Sequence, residues 1–199
     1  TMDGGTITGN SASYIGGAGV YVEKSGKFIM KNDASVTKNE IGYGSTGGAG
    51  VYVNNGTFEM HNNASVTGNT ANNSKGSSGC GVYVNGGEFK MHNNASVTGN
   101  KVKDYSNGTL NGAGVYVNSG TFEMNDSASV SGNTATQNGG GVYMGGGTFT
   151  MNDTASVSSN TASGTKADQG NGGGVYVNSG TFTMDGGTIT GNSASYIGG

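Results

Sequence analysis

The sequence predicts an all-β protein, a right-handed parallel β-helix (β-solenoid) of about six coils with three short strands in each coil. Three observations predict it: a repeat of about 30 residues, apolar alternation with a period of two, and 42 glycines that recur at fixed phases. A repeat period of about 20–50 residues is typical of solenoids and arrays, in which each repeat packs on its neighbours. The 199 residues are therefore expected to form a single β-helix segment.

A Val-Tyr pair marks the first predicted strand of each repeat. It lies within Gly-Val-Tyr-Val, with Met144 once in place of the second valine. The pairs begin at Val20, Val51, Val82, Val115, Val142 and Val175, and the spacings are 31, 31, 33, 27 and 33 residues. Alternation with a period of two places the valines on one face of the strand and the tyrosine on the other.

Two further runs complete each repeat. Phe-x-Met is the second predicted strand, and Ala-Ser-Val-Thr with its variants is the third, closed by an asparagine. The Val, Phe, Met and Ala positions share the face that stacked coils bury. We expect one buried stack of Phe58, Phe89, Phe122 and Phe149, with Met60, Met91, Met124 and Met151 beside it.

The segment between the closing asparagine and the next Gly-Val varies in length, so insertions are expected at one corner of the coil. These corner loops are predicted to hold Tyr14, Tyr43, Lys101, Lys103 and Tyr105.

The outer face carries two regular columns. Glu59, Lys90 and Glu123 share one position in successive repeats, which predicts a column of alternating charge. The second column consists of Tyr21, Tyr52, Tyr83, Tyr116, Tyr143 and Tyr176. Two interpretations of the tyrosines are open: a binding surface for sugar faces or a neighbouring fibre, and stabilisation of the sheet by like-residue pairing.

Residues 183–199 repeat residues 1–17 without a change, 182 positions later. The chain is therefore interpreted as one 182-residue super-repeat plus a 17-residue overlap, taken from a longer tandem array, with a single internal duplication as the alternative. From the phase of the repeat we expect the chain to begin and end in mid-coil without a cap. We expect units to stack end to end into a filament that repeats about every 30 Å, from six coils at the strand spacing.

The Gly-Gly-x-Gly-Val-Tyr-Val, Phe-x-Met and Val-Thr-Gly-Asn units resemble the right-handed parallel β-helix repeats of large bacterial surface proteins and adhesins. They are similar to the polymorphic outer-membrane-protein type within the pectate-lyase-like group. That type carries Gly-Gly-Ala-Ile and Phe-x-x-Asn where this chain has Gly-Val-Tyr-Val and Phe-x-Met, which favours kinship within the broad group. The resemblance implies a secreted bacterial protein at the cell surface.

Composition argues against several classes of function. A net charge of −3 without any arginine gives no basic surface for nucleic acid, and no apolar run approaches the length of a membrane span. No signal-peptide pattern is recognised, so any targeting segment is expected outside these residues. The single cysteine, Cys80, takes an alanine or glycine position of the repeat and is interpreted as a small buried residue.

Candidate chemical sites are weak. His61 and His92 share a turn position but lack the further ligands that zinc needs, and Asn-Asp turns such as Asn125-Asp126 are ordinary turn formers with calcium as the less favoured alternative. A Ser/Thr-x-Ser/Thr array on the third strand resembles ice-binding solenoids, although those favour threonine. The acids form no cluster of the kind that polysaccharide lyases or hydrolases need. We expect no enzyme, no cofactor and no metal.

These observations favour a structural extracellular rod, a segment of a tandem-repeat fibre or adhesin stalk. The alternative is a glycan-binding adhesin surface on the tyrosine column and the corner loops. The expected partners are further copies of the unit, and host or environmental glycans in the alternative.

Overall fold

The computed structural model describes residues 1–14, 16–42, 46–73, 79–104, 111–165 and 168–198, which form a parallel β-solenoid of about six coils. No helix occurs among these residues. The strands fall into four stacks, and within each stack the strands of successive coils pair in parallel. The first three stacks belong to a 16-stranded sheet and the fourth is a separate 7-stranded sheet.

Four strands run through two stacks, and the other strands each belong to one. The continuous strands are β12 (Val82–Met91), β15 (Val115–Met124), β19 (Thr148–Ser158) and β22 (Thr181–Thr190). The first stack also holds β4 (Val20–Val22), β8 (Val51–Asn54), β18 (Val142–Met144) and β21 (Val175–Val177). The second also holds β1 (Met2–Asp3), β5 (Lys27–Lys31) and β9 (Thr57–Met60). The third also holds β2 (Thr6–Thr8), β6 (Ser35–Thr37), β10 (Ser65–Thr67), β13 (Ser96–Thr98) and β16 (Ser129–Ser131). The fourth consists of β3 (Ser11–Ala12), β7 (Glu40–Ile41), β11 (Thr70–Asn73), β14 (Lys101–Asp104), β17 (Thr134–Ala135), β20 (Thr161–Ala162) and β23 (Ser193–Ala194).

The coils stack in the register of the sequence repeat. Phe89, for example, lies between Phe58 and Phe122 of the two neighbouring coils. The other columns follow the same rule, and Val97 lies between Val66 and Val130. Equivalent residues of successive repeats therefore become neighbours at the spacing of paired strands, about 4.8 Å.

The buried face matches the prediction from the alternation. The Val, Phe, Met and Ala positions of the first three stacks form one core cluster, and Phe58, Phe89 and Phe149 are fully buried. The phenylalanine rings stack face to face, with centroids 4.8 Å apart between Phe89 and Phe122 and 4.6 Å apart between Phe122 and Phe149. The predicted stack of phenylalanines and methionines is confirmed.

The fourth stack was not predicted, because the sequence analysis gave each coil three strands. It begins directly after the closing asparagine, where corner loops were expected. Lys101 and Lys103 therefore lie in strand β14 and not in a loop. Tyr14 is 85% exposed at the corner, as expected, whereas Tyr43 and Tyr105 lie outside the described residues.

Steric crowding explains why a glycine precedes each Val-Tyr pair. A Cβ on Gly81 would lie 2.6 Å from the carbonyl oxygen of Gly114, 2.8 Å from Asn100 Nδ2 and 2.9 Å from Val97 Cγ1. The next coil and the closing asparagine thus occupy the space that a side chain would need. This corner requires glycine in every coil in which the same contacts recur.

Candidate functional site

The tyrosine column, the predicted candidate binding surface, forms a second buried cluster. The exposed fraction is 9% for Tyr52, 7% for Tyr83, 5% for Tyr116 and 8% for Tyr143, whereas Tyr21 in the first coil is 42% exposed. Neighbouring rings pack on one another, and the centroids of Tyr116 and Tyr143 lie 4.7 Å apart. The tyrosines thus lie on the face away from the main core, as the alternation predicted, but the interior rings are buried there; binding at this column stays a prediction.

The glycine run before each Val-Tyr pair explains this burial. A Cβ on Gly112 would lie 3.0 Å from Tyr116 Cβ, and one on Gly139 would lie 2.7 Å from Tyr143 Cβ. The glycine backbone therefore lies directly against the tyrosines and leaves no room for a side chain. Burial raises the pKa of Tyr143 to about 12 and also raises the pKa of Tyr83.

An outer column of amides runs beside the tyrosine hydroxyls. Asn85 Nδ2 donates to Asn54 Oδ1 at 3.1 Å and to the hydroxyl of Tyr52 at 3.3 Å. Asn118 Nδ2 continues the column by donating to Asn85 Oδ1 at 2.9 Å. The hydroxyl of Tyr52 is thus engaged in a hydrogen bond between coils, and so is that of Tyr21, which accepts from Asn54 Nδ2 at 2.9 Å.

A ladder of asparagines closes the third strand of every coil, and its interior members are completely buried. This asparagine ladder consists of Asn10, Asn39, Asn69, Asn100, Asn133, Asn160 and Asn192. The backbone N–H and Nδ2 of Asn100 donate to Asn133 Oδ1 at 2.9 and 3.0 Å, and Nδ2 also donates to the carbonyl of Val66 at 3.1 Å. Asn100 Oδ1 in turn accepts from the backbone N–H and Nδ2 of Asn69 at 3.0 and 2.9 Å.

The asparagine ladder has a direction. Within the ladder, each member donates to the asparagine of the coil that follows in the chain and accepts from the asparagine of the coil that precedes it, while its Nδ2 also donates to a backbone carbonyl of the preceding coil. Each coil therefore presents amide donors on its C-terminal side and an amide oxygen on its N-terminal side. The sequence carried a signal for this element, namely an asparagine at the same phase in every repeat, but the signal did not reveal its burial.

The charged column is confirmed in its placement, but the ion pairs differ from the simple alternation. Lys90 lies in register between Glu59 and Glu123. The ammonium of Lys90 lies 3.4 Å from Glu88 on its own strand, whereas Glu59 pairs with Lys27 of the preceding coil at 2.8 Å. The bond from Lys27 lowers the pKa of Glu59.

The two histidines stack on each other as neighbours in adjacent coils. The ring centroids of His61 and His92 are 4.9 Å apart and the rings are 7° from parallel. His61 Nε2 lies 3.4 Å from Glu59 Oε2. Across the described ranges, no three His, Cys, Asp or Glu side chains lie together in a group that could hold a metal ion.

The Asn and Asp side chains of the polar turns bond the neighbouring turns. Asn93, Asp126 and Asp153 have φ near +56°, the left-handed conformation that Asn and Asp tolerate. The backbone N–H of Asn93 donates to Asp126 Oδ2 at 2.7 Å, and that of Asp126 donates to Asp153 Oδ2 at 2.9 Å. These carboxylates thus stabilise the stacked turns, which supports the interpretation as turn formers.

An open groove of about 390 Å³ lies on the outer face of the second stack. Its walls include Glu88, Lys90, Thr121, Glu123 and Thr150. The groove offers hydroxyl, carboxylate and ammonium groups on one side of the solenoid.

The hydroxyls of the third stack are aligned as the sequence predicted. Ser65 pairs with Ser96, and Thr67 pairs with Thr98, in one parallel register. The hydroxyl of Thr98 donates to that of Thr67 at 3.1 Å. Some of these hydroxyls are thus engaged with each other along the solenoid axis.

Cys80 is a buried structural residue. Its Sγ lies 2.9 Å from the carbonyl oxygen of Asn69 and 3.3 Å from that of Lys101, so its single S–H has an acceptor on either side. The side chain packs among apolar residues next to the fourth stack. Burial raises the pKa of the thiol to about 12. A thiol that stays protonated and is inaccessible has little nucleophilic character.

The four strand stacks, the buried core and the asparagine ladder define a parallel β-solenoid built from tandem repeats. Comparison with known protein families, with curated proteins and with solved structures finds no match for this chain. The described part of the chain contains no candidate membrane-spanning helix.

Proposed function

We propose that the chain is a structural rod at the bacterial cell surface, a segment of a long tandem-repeat fibre or adhesin stalk. The observation that carries the proposal is the identity of residues 1–17 with residues 183–199, combined with the equivalent places of residues 2–12 and 184–194 in the stacks. Met2 and Ile7 occupy the second and third stacks next to Met30 and Val36. Met184 and Ile189 occupy the same stacks next to Met151 and Val157.

Continuous contacts along the axis support a load-bearing role. The core, the phenylalanine stack, the tyrosine cluster and the asparagine ladder all run from coil to coil. Such repetition gives a solenoid that can be lengthened by adding coils without a new kind of interface.

The glycan-binding alternative loses much of its support in the tyrosine column. Sugar stacking requires an open ring face, and four of the six rings are at most 9% exposed. A glycan array separates the two functions, because the rod is expected to bind no glycan. Turnover of an acidic polysaccharide would favour an enzyme and contradict the proposal.

Sequencing of the coding region on both sides of this segment tests the array. The proposal predicts further copies with the same 182-residue period and the same phase. Unrelated sequence on both sides would contradict a tandem fibre.

A further inference from the structure

One edge of the solenoid carries its charges in a definite order. This edge, here called the polar edge, consists of the turns between the second and third stacks, directly after the methionine of each coil. Basic or protonatable side chains lie in the first three coils, counted from Val20, and aspartates lie in the next three. In coil order these residues are Lys31, His61, His92, Asp126, Asp153 and Asp185. The histidines are partly exposed and the other four side chains are exposed.

Like groups are neighbours along the polar edge. The rings of His61 and His92 stack with their centroids 4.9 Å apart. Asp126 and Asp153 follow one another at the strand spacing, about 4.8 Å, and the bonds from neighbouring turns reach Oδ2 of each carboxylate. Two protonated imidazoles, or two carboxylates, repel each other at this separation. A surface with opposite charges at the same spacing would relieve the repulsion in both pairs.

We infer that two copies of this chain pair side by side and antiparallel through their polar edges when the histidines are protonated. The two-fold axis lies between the third and fourth coils. Three pairings result, each formed twice: His92 with Asp126 of the second copy, His61 with its Asp153, and Lys31 with its Asp185. The contact is isologous and closes as a dimer. The inference goes beyond the proposed rod and does not depend on it, because the histidines and the aspartates that face them lie in interior coils.

The order of the charges selects the antiparallel arrangement. Parallel copies shifted by two coils would also bring the histidines to Asp126 and Asp153. The same shift, however, would set Lys31 against His92. It would also set Asp126 against Asp185, so like charges would meet at both ends of the contact. Antiparallel copies bring all six residues to a group of opposite charge.

Protonation of the histidines controls the contact. Histidine gains its positive charge as the pH falls from about 8 to about 5, whereas aspartate stays ionised over that range. Glu59 Oε2 lies 3.4 Å from His61 Nε2, but the same carboxylate also binds Lys27 at 2.8 Å. It therefore does not balance the charge of two imidazolium groups. The aspartates of the second copy supply the missing negative charge.

The remaining charged groups beside the histidines leave this balance unchanged. Lys90 follows Glu59 in register and lies 3.4 Å from Glu88 on its own strand. Asp33, in the turn before His61, accepts a bond of 3.2 Å from Asn63 Nδ2. The flanking turns also hold Lys31 and Asp126. Because all these charges lie near the surface, the pairing should be strongest at low ionic strength.

The repeat itself supplies variants that the fold accepts. Asparagine stands at the position of His61 in the fourth coil, as Asn125, and lysine stands there in the first coil, as Lys31. Asparagine also stands at the position of Asp126 in the third coil, as Asn93, with φ of 57°. Substitutions to these residues change the charge of a turn and keep a side chain that another coil already carries.

Sedimentation velocity at low ionic strength, at about pH 5.5 and pH 8, tests the pairing. The wild-type chain is expected to dimerise about ten-fold or more tightly at the lower pH, from four histidine–aspartate pairs in each dimer. His61→Asn/His92→Asn and Asp126→Asn/Asp153→Asn should each remove this gain. His61→Lys/His92→Lys should dimerise equally at both pH values, because lysine keeps its charge.

Two further variants test the orientation and the specificity of the contact. Lys31→Asn should weaken dimerisation at the lower pH if the copies are antiparallel, and strengthen it if they are parallel and shifted. Lys101→Gln/Lys103→Gln is the control, because these exposed lysines lie on the fourth stack, away from the polar edge. This variant should dimerise as the wild type does.

A wild-type chain that stays monomeric at the lower pH, or that dimerises equally at both pH values, overturns the inference. A gain that survives either pair of asparagine substitutions overturns it as well, and stronger dimerisation of Lys31→Asn contradicts the antiparallel order. None of these results bears on the tandem array, which is tested separately by the 182-residue period of the flanking coding sequence.

Discussion

Replacement of Asn100 by alanine should destabilise the solenoid more than its small change in apolar area implies. The side chain is fully buried and bonds both neighbouring coils. With alanine at this position, Asn133 Oδ1 would lose one of its two donors. The carbonyl of Val66 would lose its side-chain amide donor, and the backbone N–H of Asn69 would lose its acceptor. A buried polar group that loses its partner costs about 1–3 kcal/mol.

Several groups lose partners at once, so we expect the free energy of unfolding to fall by about 4 kcal/mol, from two to three such penalties. The assay is equilibrium unfolding in urea, read by circular dichroism, with the midpoint and slope compared with the wild type. Asn94→Ala is the control, because Asn94 is exposed and its Nδ2 donates one hydrogen bond of 3.4 Å to Asn63 Oδ1. It should cost about 0.5 kcal/mol or less.

A loss below about 1 kcal/mol for Asn100→Ala, similar to that of Asn94→Ala, would refute this reasoning. Such a result would mean that the backbone hydrogen bonds and the apolar core stabilise the coil without a contribution from the buried amide.

Three further predictions concern the core, the glycine corner and the tyrosines. Phe122→Ala removes a ring from the centre of the stack and should lower the free energy of unfolding by about 3–5 kcal/mol in the same assay; less than about 1 kcal/mol would contradict its central role. Gly81→Ala should cost about 1–3 kcal/mol because its Cβ would overlap the next coil, whereas Gly42→Ala, whose Cβ would lie 3.6 Å from its nearest neighbour, should be tolerated. Burial raises the folded-state pKa of tyrosines such as Tyr143, from 10.0 to about 12, so their stabilisation is complete below pH 10 and is lost as the pH rises through the folded value. Urea midpoints measured between pH 9 and pH 12 should therefore fall, and a variant with phenylalanine at the buried tyrosine positions should show a smaller decline; equal declines would contradict the assignment to the tyrosines.

Periodicity predicted the strands of the first three stacks and their buried faces. Phe-x-Met and Val-Tyr-Val recur at a spacing that only stacking of successive repeats can satisfy, so the register of Phe89 with Phe122 followed from counting residues. Side-chain alternation then fixed which positions face the core.

The fourth stack was missed because its strands differ in both length and sequence from coil to coil. Thr134–Ala135 has only two residues, and its equivalent Lys101–Asp104 carries two lysines and an aspartate. A two-residue strand shows no measurable alternation. Its pairing arises from the coils above and below, which is information that one repeat does not contain.

The outer and polar positions were harder to place for a different reason. A period of two assigns Tyr83 to the face opposite the core, but the pattern says nothing about the glycine backbone that packs on that face. Asn100 was recognised as the end of a strand, yet its complete burial depends on partners in two other coils. Tertiary contacts decided both outcomes.

The length of tandem proteins tests the central claim most directly. Chains of one, two and four units of 182 residues can be compared by small-angle X-ray scattering. The account predicts that each unit adds about 30 Å of axial length, from six coils at the strand spacing, while the cross-section stays constant. A radius of gyration that grows as for a flexible string of separate domains, or a cross-section that widens with added units, would contradict a continuous rod.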